Sequence, residues 1–432
     1  MIREYTKPTP LIDILEEHME EAAFMYESRL RSFVDPELSW KDLLDYEQRM
    51  FPHLHALTLG GFDSAQFLKD KLTLDEDEEP GETFVASYVY TALKLIEPMQ
   101  WLIDALGQQP PHFKAIVDGL KYSNSKDLDG WLEYFVEHEN PAVRSVGAEV
   151  IGYRGLHTLK DKILRLQNDS DPYVSITANY SLHNMGITID KNKLKAYLNE
   201  DDPSVVLKAI ELLLRLGDSE IIKTCREKCA SSENEINQKL IFYLAIAGNL
   251  YDIKIINDLL QRQPETKKEC LLALGMTGHT GSFDLLTDHL KNIDDWDTYT
   301  AAFQALRFIT GMDYIPKFDS DEAEPEEITE YKNLWEEWLD KNRNNFSEEF
   351  KWRRGEKVSP EVLYKDLNWT GNPCREFTYL EMVLRYGLTH NFQYDQFYDV
   401  QVRQLHNINQ WIEQENNKYQ SGAYYYHKNK YA

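Results

Sequence analysis

The sequence predicts an all-α solenoid, and three observations predict it. Glycines recur at a fixed interval. Asx–Pro pairs recur at the same interval upstream of them. Between the two, apolar side chains fall three and four residues apart. The glycines are Gly155, Gly186, Gly217, Gly248, Gly278 and Gly311, at spacings of 31, 31, 31, 30 and 33 residues. Asn140-Pro141, Asp171-Pro172 and Asp202-Pro203 are also 31 apart.

Each mark has a physical reason. An Asp or Asn side-chain oxygen accepts one of the unpaired N–H groups that open a helix. Proline fits the next position, where no N–H partner is missed. Glycine fits just past the helix end, where the chain turns left-handed. Every unit therefore holds a helix of about four turns with both ends punctuated. In the third unit Val205, Ala209, Leu212, Leu213 and Leu216 share one helical face. The position eight before the glycine is small in the first three units (Gly147, Ala178, Ala209), which lets neighbouring helices approach closely. A second apolar stripe follows each glycine, as in Leu159/Ile163/Leu164, Leu194/Leu198, Ile253/Ile256/Leu260 and Phe283/Leu286/Leu290. Neither helix can bury its stripe alone, so the pairs must stack.

Segments such as DPYVSITANYSLHNMG and DPSVVLKAIELLLRLG resemble short HEAT-type repeats. The first unit, NPAVRSVGAEVIGYRG, carries the Val-Arg pair typical of them, and later units lose the Asp-Pro start. The expected fold is thus a HEAT-like α-solenoid of about six helical pairs of ~31 residues, flanked by helical N- and C-terminal regions.

The flanks follow in order. Residues 1–125 read as an N-terminal helical region outside the 31-residue register, with helices in LIDILEEHMEEAAFMYESRL and WKDLLDYEQRMFPHLHALTLGG. The acidic run Asp75 to Glu79 reads as a solvated loop. The repeats occupy residues 126–311. Residues 312–345 read as an acidic linker, FDSDEAEPEEITE, and a Trp-rich helix, YKNLWEEWLDKN. Residues 346–432 read as a helical cap ending in a mobile basic tail, YYYHKNKYA.

The order of these segments is itself a signature. LEEHMEEAAFMYESRL…LLDYEQRMFPHLHALTLGG, GETFVASYVY, the degenerate repeats and FKWRRGEKVSPEVLYKDL…CREFTYLEMVLRYG follow one another. This order resembles an uncharacterised group of bacterial HEAT-like proteins encoded in type VI secretion gene clusters. The resemblance implies a setting, a contractile secretion system and its toxins, and no activity.

Charge narrows the partners. The 432 residues carry 47 basic and 73 acidic side chains, a formal net charge of −26. That balance repels nucleic-acid phosphates and anionic lipid, and favours a basic partner. Helical-repeat DNA glycosylases need a basic concave face, and the sign here is opposite. The N-terminus lacks an unbroken apolar core, and no stretch approaches the roughly 20 apolar residues that span a bilayer. The expectation is a cytoplasmic protein with no membrane insertion and no nucleic-acid ligand.

Chemistry is sparse. There is no Gly-rich phosphate loop, HExxH, GxSxG or paired CxxC. Cys225 and Cys229 lie four apart, but no second pair completes a metal site, so buried thiols are expected of Cys225, Cys229, Cys270 and Cys374. His53 and His55 fall on different helix faces and make a poor metal pair. No catalytic residue, cofactor or metal is assigned, and the chain reads as a non-enzyme.

One anomaly remains. Opposite the core stripe of the third repeat helix, where polar residues are expected, stand Leu207, Ile210 and Leu214 beside Glu211. The second unit places Ile176 and Tyr180 at the matching positions. Such a patch suits a protein ligand with an apolar anchor, a toxin effector or a secretion component. The other reading is that the terminal regions or the next repeat cover it. On the first reading the chain captures an effector, neutralising or escorting it; on another it is a scaffold of the secretion apparatus.

Overall fold

The computed structural model describes residues 12–33, 38–72, 80–93, 95–108, 110–230, 238–291, 295–312, 314, 324–369, 372 and 374–431. The acidic run Asp75–Glu79 and the stretch 315–323 of the expected acidic linker lie outside the described residues. The chain is an all-α, HEAT-like solenoid with 21 α-helices and two short β-hairpins among the described residues. None of these helices is long and apolar enough to cross a membrane. The chain forms two compact units: Met1–Glu200 with Asp395–Val400, and Asp201–Tyr394 with Gln401–Ala432. The boundary near residue 200 falls inside the repeat run.

The first unit holds α1 (Ile12–Arg31), α2 (Leu43–Lys71), α3 (Pro80–Leu93), α4 (Ile96–Gln108) and α5 (Phe113–Tyr122). It continues with α6 (Leu128–Phe135), α7 (Pro141–Arg154), α8 (Lys160–Leu166), α9 (Pro172–Asn184) and α10 (Lys191–Ala196). Odd-numbered helices form one row, α1 on α3, α3 on α5, α5 on α7 and α7 on α9, while α2, α4, α6 and α8 lie against that row. Alternation therefore starts well before the 31-residue register does. The caps are as the sequence requires. Asn140 Oδ1 accepts from Ala142 N at 2.9 Å, and Asp171 Oδ1 from Tyr173 N and Val174 N at 2.9 and 3.0 Å. Gly155 and Gly186 are left-handed, with φ of 64° and 72°. At Gly152 a Cβ would stand 2.4 Å from Ser181, so α7 and α9 meet almost backbone to backbone.

Asp395–Val400 closes the first unit. The Arg29 guanidinium donates to Asp395 O at 2.5 Å and pairs with Glu47 at 3.0 Å, lying over the rings of Phe33, Tyr122 and Phe397. Tyr122 Oη donates to the same carbonyl at 2.8 Å, and Tyr398 N donates to Glu47 Oε2 at 2.9 Å.

The second unit carries the later repeats: α11 (Pro203–Arg215), α12 (Ile221–Ala230), α13 (Gln238–Ala247), α14 (Leu250–Arg262), α15 (Lys267–Thr277), α16 (Phe283–Asp288) and α17 (Trp296–Thr310). Again the odd helices stack, α11 on α13, α13 on α15 and α15 on α17. Gly217, Gly278 and Gly311 are left-handed at 71°, 67° and 71°. Gly248 differs: it is absent from the left-handed set, because Asn249 begins the next helix at once with a reciprocal capping box to Asp252.

After the repeats come α18 (Pro325–Asn342), a hairpin of β1 (Trp352–Arg353) and β2 (Glu356–Lys357), α19 (Pro360–Leu367), α20 (Arg375–Tyr386), α21 (Tyr398–Glu415) and a hairpin of β3 (Tyr425–Tyr426) and β4 (Asn429–Lys430). Two expectations need correcting here. The C-terminal region is not wholly helical, and the described residues of the tail, 424–431, form a folded hairpin whose Tyr425 and Tyr426 are buried. Aromatic content is the reason: folding back removes from water the rings of Tyr425 and Tyr426, which a solvated tail would expose.

The two hairpins belong to a repeated device. α18, the 3₁₀ turn Arg343–Asn345, β1 and β2 are matched by α21, the turn Asn416–Lys418, β3 and β4, each 73 residues later. Both hairpins turn through two residues with positive φ, Arg354-Gly355 (53°, 78°) and His427-Lys428 (43°, 67°). Both tips then donate two consecutive N–H groups to the C-terminal carbonyls of a helix. Arg354 N and Gly355 N reach Phe308 O and Ile309 O of α17 at 2.6 and 2.9 Å, and His427 N and Lys428 N reach Leu384 O and Arg385 O of α20 at 2.7 and 2.9 Å. These are the acceptors a helix end leaves unpaired.

Candidate functional site

The residues of the expected patch are not a free surface. Ile210 and Leu214 are fully buried in the second unit, Leu207 is half-buried, and Glu211 is buried with its carboxylate accepting from Tyr243 Oη at 2.7 Å and Arg215 Nε at 2.8 Å. In the first unit Ile176 is fully buried and Tyr180 half-buried. The cover on the third repeat helix comes from the chain itself. α20 packs on α11 and α13. Phe377 stacks on Phe242 at 4.2 Å, and Lys239 pairs with Glu376 at 3.4 Å. Tyr426 Oη donates to Leu214 O at 3.3 Å and Asp218 O at 2.9 Å. The outward leucines of α11 are a second core face, which is why the sequence made them apolar.

α20 also brings in charge. Glu381 is fully buried and accepts from Lys351 Nζ at 2.8 Å, Arg353 Nη2 at 2.9 Å and Arg385 Nε at 2.8 Å. Arg353 also pairs with buried Asp366 at 2.7 Å. Two guanidiniums and the Lys351 amine thus face two carboxylates, and burial pushes Lys351 well below the ordinary lysine range. Helix ends supply the remaining negative potential. Lys351 Nζ donates to Met276 O of α15 at 2.6 Å, and Arg385 Nη2 to Gly248 O just beyond α13 at 3.4 Å. Burial alone would push the Glu381 carboxyl up, but Lys351, Arg353 and Arg385 together hold it below the usual carboxylate range. Sealed from solvent, this cluster holds helix ends together.

The other chemistry-bearing side chains are placed as follows. Cys225, Cys229, Cys270 and Cys374 are all buried as free thiols. Burial pushes Cys270 up to about 11, and Cys229 and Cys374 up to about 12, far from the thiolate a nucleophile needs. His53 does not meet His55; its Nδ1 lies 2.9 Å from Nδ1 of His18 across the α1–α2 seam. Among the described residues no three His, Cys, Asp or Glu side chains group as metal ligands.

Apolar surface is open on both units, around Leu250 and Tyr251 on the second and around α2 and α4 on the first. α2 breaks at Gly61, whose φ of 61° and ψ of −128° leave the helical region. Leu59 and Phe62 flank the break at 74% and 61% exposure, and Ile96 opens α4 at 76%. A recess of about 770 Å³ lies between Phe51, Pro52 and His55 of α2, Tyr88 of α3 and residues 124–127. A smaller one of about 130 Å³ lies between α2 and α4, with Phe62 and Ile96 on its walls. Sequence reading missed this surface. Its one signal was the Gly60-Gly61 pair inside an otherwise helical pattern.

Residues 128–215 match the family model described as HEAT repeats. No curated protein matches the chain. Among solved structures, human deoxyhypusine hydroxylase in complex with glycerol is similar over 68% of this chain and 97% of its own, at 16% identity and a TM-score of 0.25. An engineered protein is similar over 84% of this chain and 98% of its own, at 14% identity and a TM-score of 0.30.

Proposed function

We propose that this chain is a non-enzymatic protein-binding scaffold of the HEAT type, working in the cytoplasm beside a type VI secretion system, where it captures a toxin effector to neutralise or escort it. The observation that carries the reading is the apolar surface left open on the first unit. In the second, α20 and the two hairpins already occupy the repeat helices and their ends. In the first, Phe62 and Ile96 stand in solvent on the walls of one recess, with Leu59 exposed near them; the second keeps a recess of about 490 Å³ beside Leu250. Soluble monomers seldom leave such clusters uncovered without a partner to cover them. The setting comes from the order of segments along the chain, and the preference for a basic effector from the net charge of −26.

Affinity capture from the native host, with the intact chain as bait, tests the reading. The expected result is a stoichiometric complex with the product of a neighbouring toxin gene, lost when Phe62 and Ile96 are both replaced by aspartate. Recovery of baseplate or sheath components alone would instead make the chain a scaffold of the apparatus. Turnover of a substrate by the purified chain would overturn the non-enzymatic reading.

A further inference from the structure

The recess between α2 and α4 is built as a socket for one large apolar side chain. Its floor is an edge-to-face pair, Tyr90 and Trp101, with ring centroids 5.5 Å apart at 85°. Tyr90 is held in place by its hydroxyl, which donates to Ala65 O at 3.3 Å. Phe62, Ile96 and Pro98 form the rim and walls. The volume, about 130 Å³, suits a single leucine or aromatic side chain rather than a cofactor, whose pockets run to roughly 300 Å³ and more. Such a desolvated anchor position is where binding energy concentrates in protein interfaces.

Charge selects what surrounds the anchor. Residues 1–127 carry 24 acidic and 12 basic side chains, so this part of the chain alone contributes −12. At the rim, Lys69 and Glu97 pair at 3.4 Å, both well exposed. An exposed pair of this kind holds little energy, so Glu97 is available to an incoming cation. Anionic lipid is disfavoured by the same negative field.

We infer that the α2–α4 socket takes an amphipathic helix from a basic protein partner, inserting one large apolar side chain between Phe62 and Ile96 while its lysines or arginines face Glu97 and Asp70, the acid bonded to Gln66 of the socket wall. This names the chemistry of the partner in the scaffold reading above and rests on it.

A short labelled amphipathic peptide of leucine and lysine, and its leucine–glutamate counterpart, probe the socket on the full chain by fluorescence anisotropy. The lysine peptide is expected to bind at least about tenfold more tightly than the glutamate peptide. Phe62→Asp with Ile96→Asp is expected to cost at least about tenfold, whereas Leu250→Asp with Tyr251→Asp, an exposed apolar pair on the second unit, leaves binding unchanged. Glu97→Lys is expected to narrow the preference between the two peptides. Because both socket residues are exposed, an unchanged circular dichroism spectrum separates lost binding from lost folding. Three results would overturn the assignment: equal binding of both peptides, equal loss from the two double variants, or a socket that instead mediates self-association or adsorption to phosphatidylglycerol vesicles. If native capture recovers a toxin whose complex survives the socket variant, the socket fails while the scaffold reading stands.

Discussion

Residues 325–357 and 398–430 trace the same helix, 3₁₀ turn and hairpin, but their side chains differ at nearly every position. From the turn onward only Asn344 and Lys357 recur, as Asn417 and Lys430. Phe346 packs edge-on against Trp352 at 4.9 Å, and Tyr419 against Tyr425 at 5.2 Å. Trp352 Nε1 donates to Ser347 O, whereas Tyr425 Oη accepts from Gln420 N, so the same closure is made with donor and acceptor exchanged. In the first hairpin Lys351 and Arg353 meet buried carboxylates. In the second, Tyr424 and Tyr426 fill those places, and Tyr426 donates to carbonyls. What persists is the backbone demand. A helix end presents carbonyls without partners, and a tip with two positive-φ residues presents two N–H groups to meet them. The side chains behind the tip then follow local charge.

Experiments can break this comparison at several strengths. Glu381→Gln should have the largest effect, because it leaves Lys351, Arg353 and Arg385 buried around a neutral amide. A loss of about 3–5 kcal/mol is expected, read from the urea transition at neutral pH. The same carboxylate predicts a pH dependence. Its folded pKa is lowered, so its contribution is complete above the unfolded carboxyl value of about 4.3 and drains away as pH falls through the folded value. The urea midpoint should therefore fall from pH 6 toward pH 3, and Glu381→Gln should flatten that slope.

Next come two glycines with nearly the same φ. Gly278→Ala places a Cβ 2.1 Å from Trp352 O, whereas Gly186→Ala meets nothing within 4 Å. Both bear the left-handed cost of about 1–2 kcal/mol, and only the first must also displace the hairpin, for a total of about 3 kcal/mol. Equal losses would show that the hairpin does not press on the helix end. The smallest effect belongs to Tyr426→Phe, which deletes a hydroxyl shared by Leu214 O and Asp218 O and should cost about 1 kcal/mol by thermal unfolding.

Legibility tracks the range of the interaction. The caps at Asn140, Asp171 and Asp202 and the left-handed glycines at 155, 186, 217, 278 and 311 were readable, because each depends on a side chain and backbone groups within a few residues. Gly248 kept the period without the conformation, since Asn249 captured the next helix first. The patch on α11 was readable as apolar, with cover by the terminal regions as one of two open readings, and α20 and Tyr426 supply that cover. Leu214 looks the same in sequence whether solvent or Tyr426 faces it. The α2–α4 socket had only the Gly60-Gly61 pair as a signal, because the 61% and 76% exposure of Phe62 and Ile96 is decided by packing.

By itself, then, the sequence determined the helical repeat, its 31-residue period, the ends of its helices and the sign of its charge, all set by short-range backbone chemistry and composition. Only the tertiary structure decided which apolar faces are closed. Glu381 is one acid among 73 until Arg353, 28 residues upstream, and Lys351 are brought to it. Helix propensity and periodicity cannot specify that meeting, because burial and pairing are properties of segments far apart in the chain and near only once it has folded.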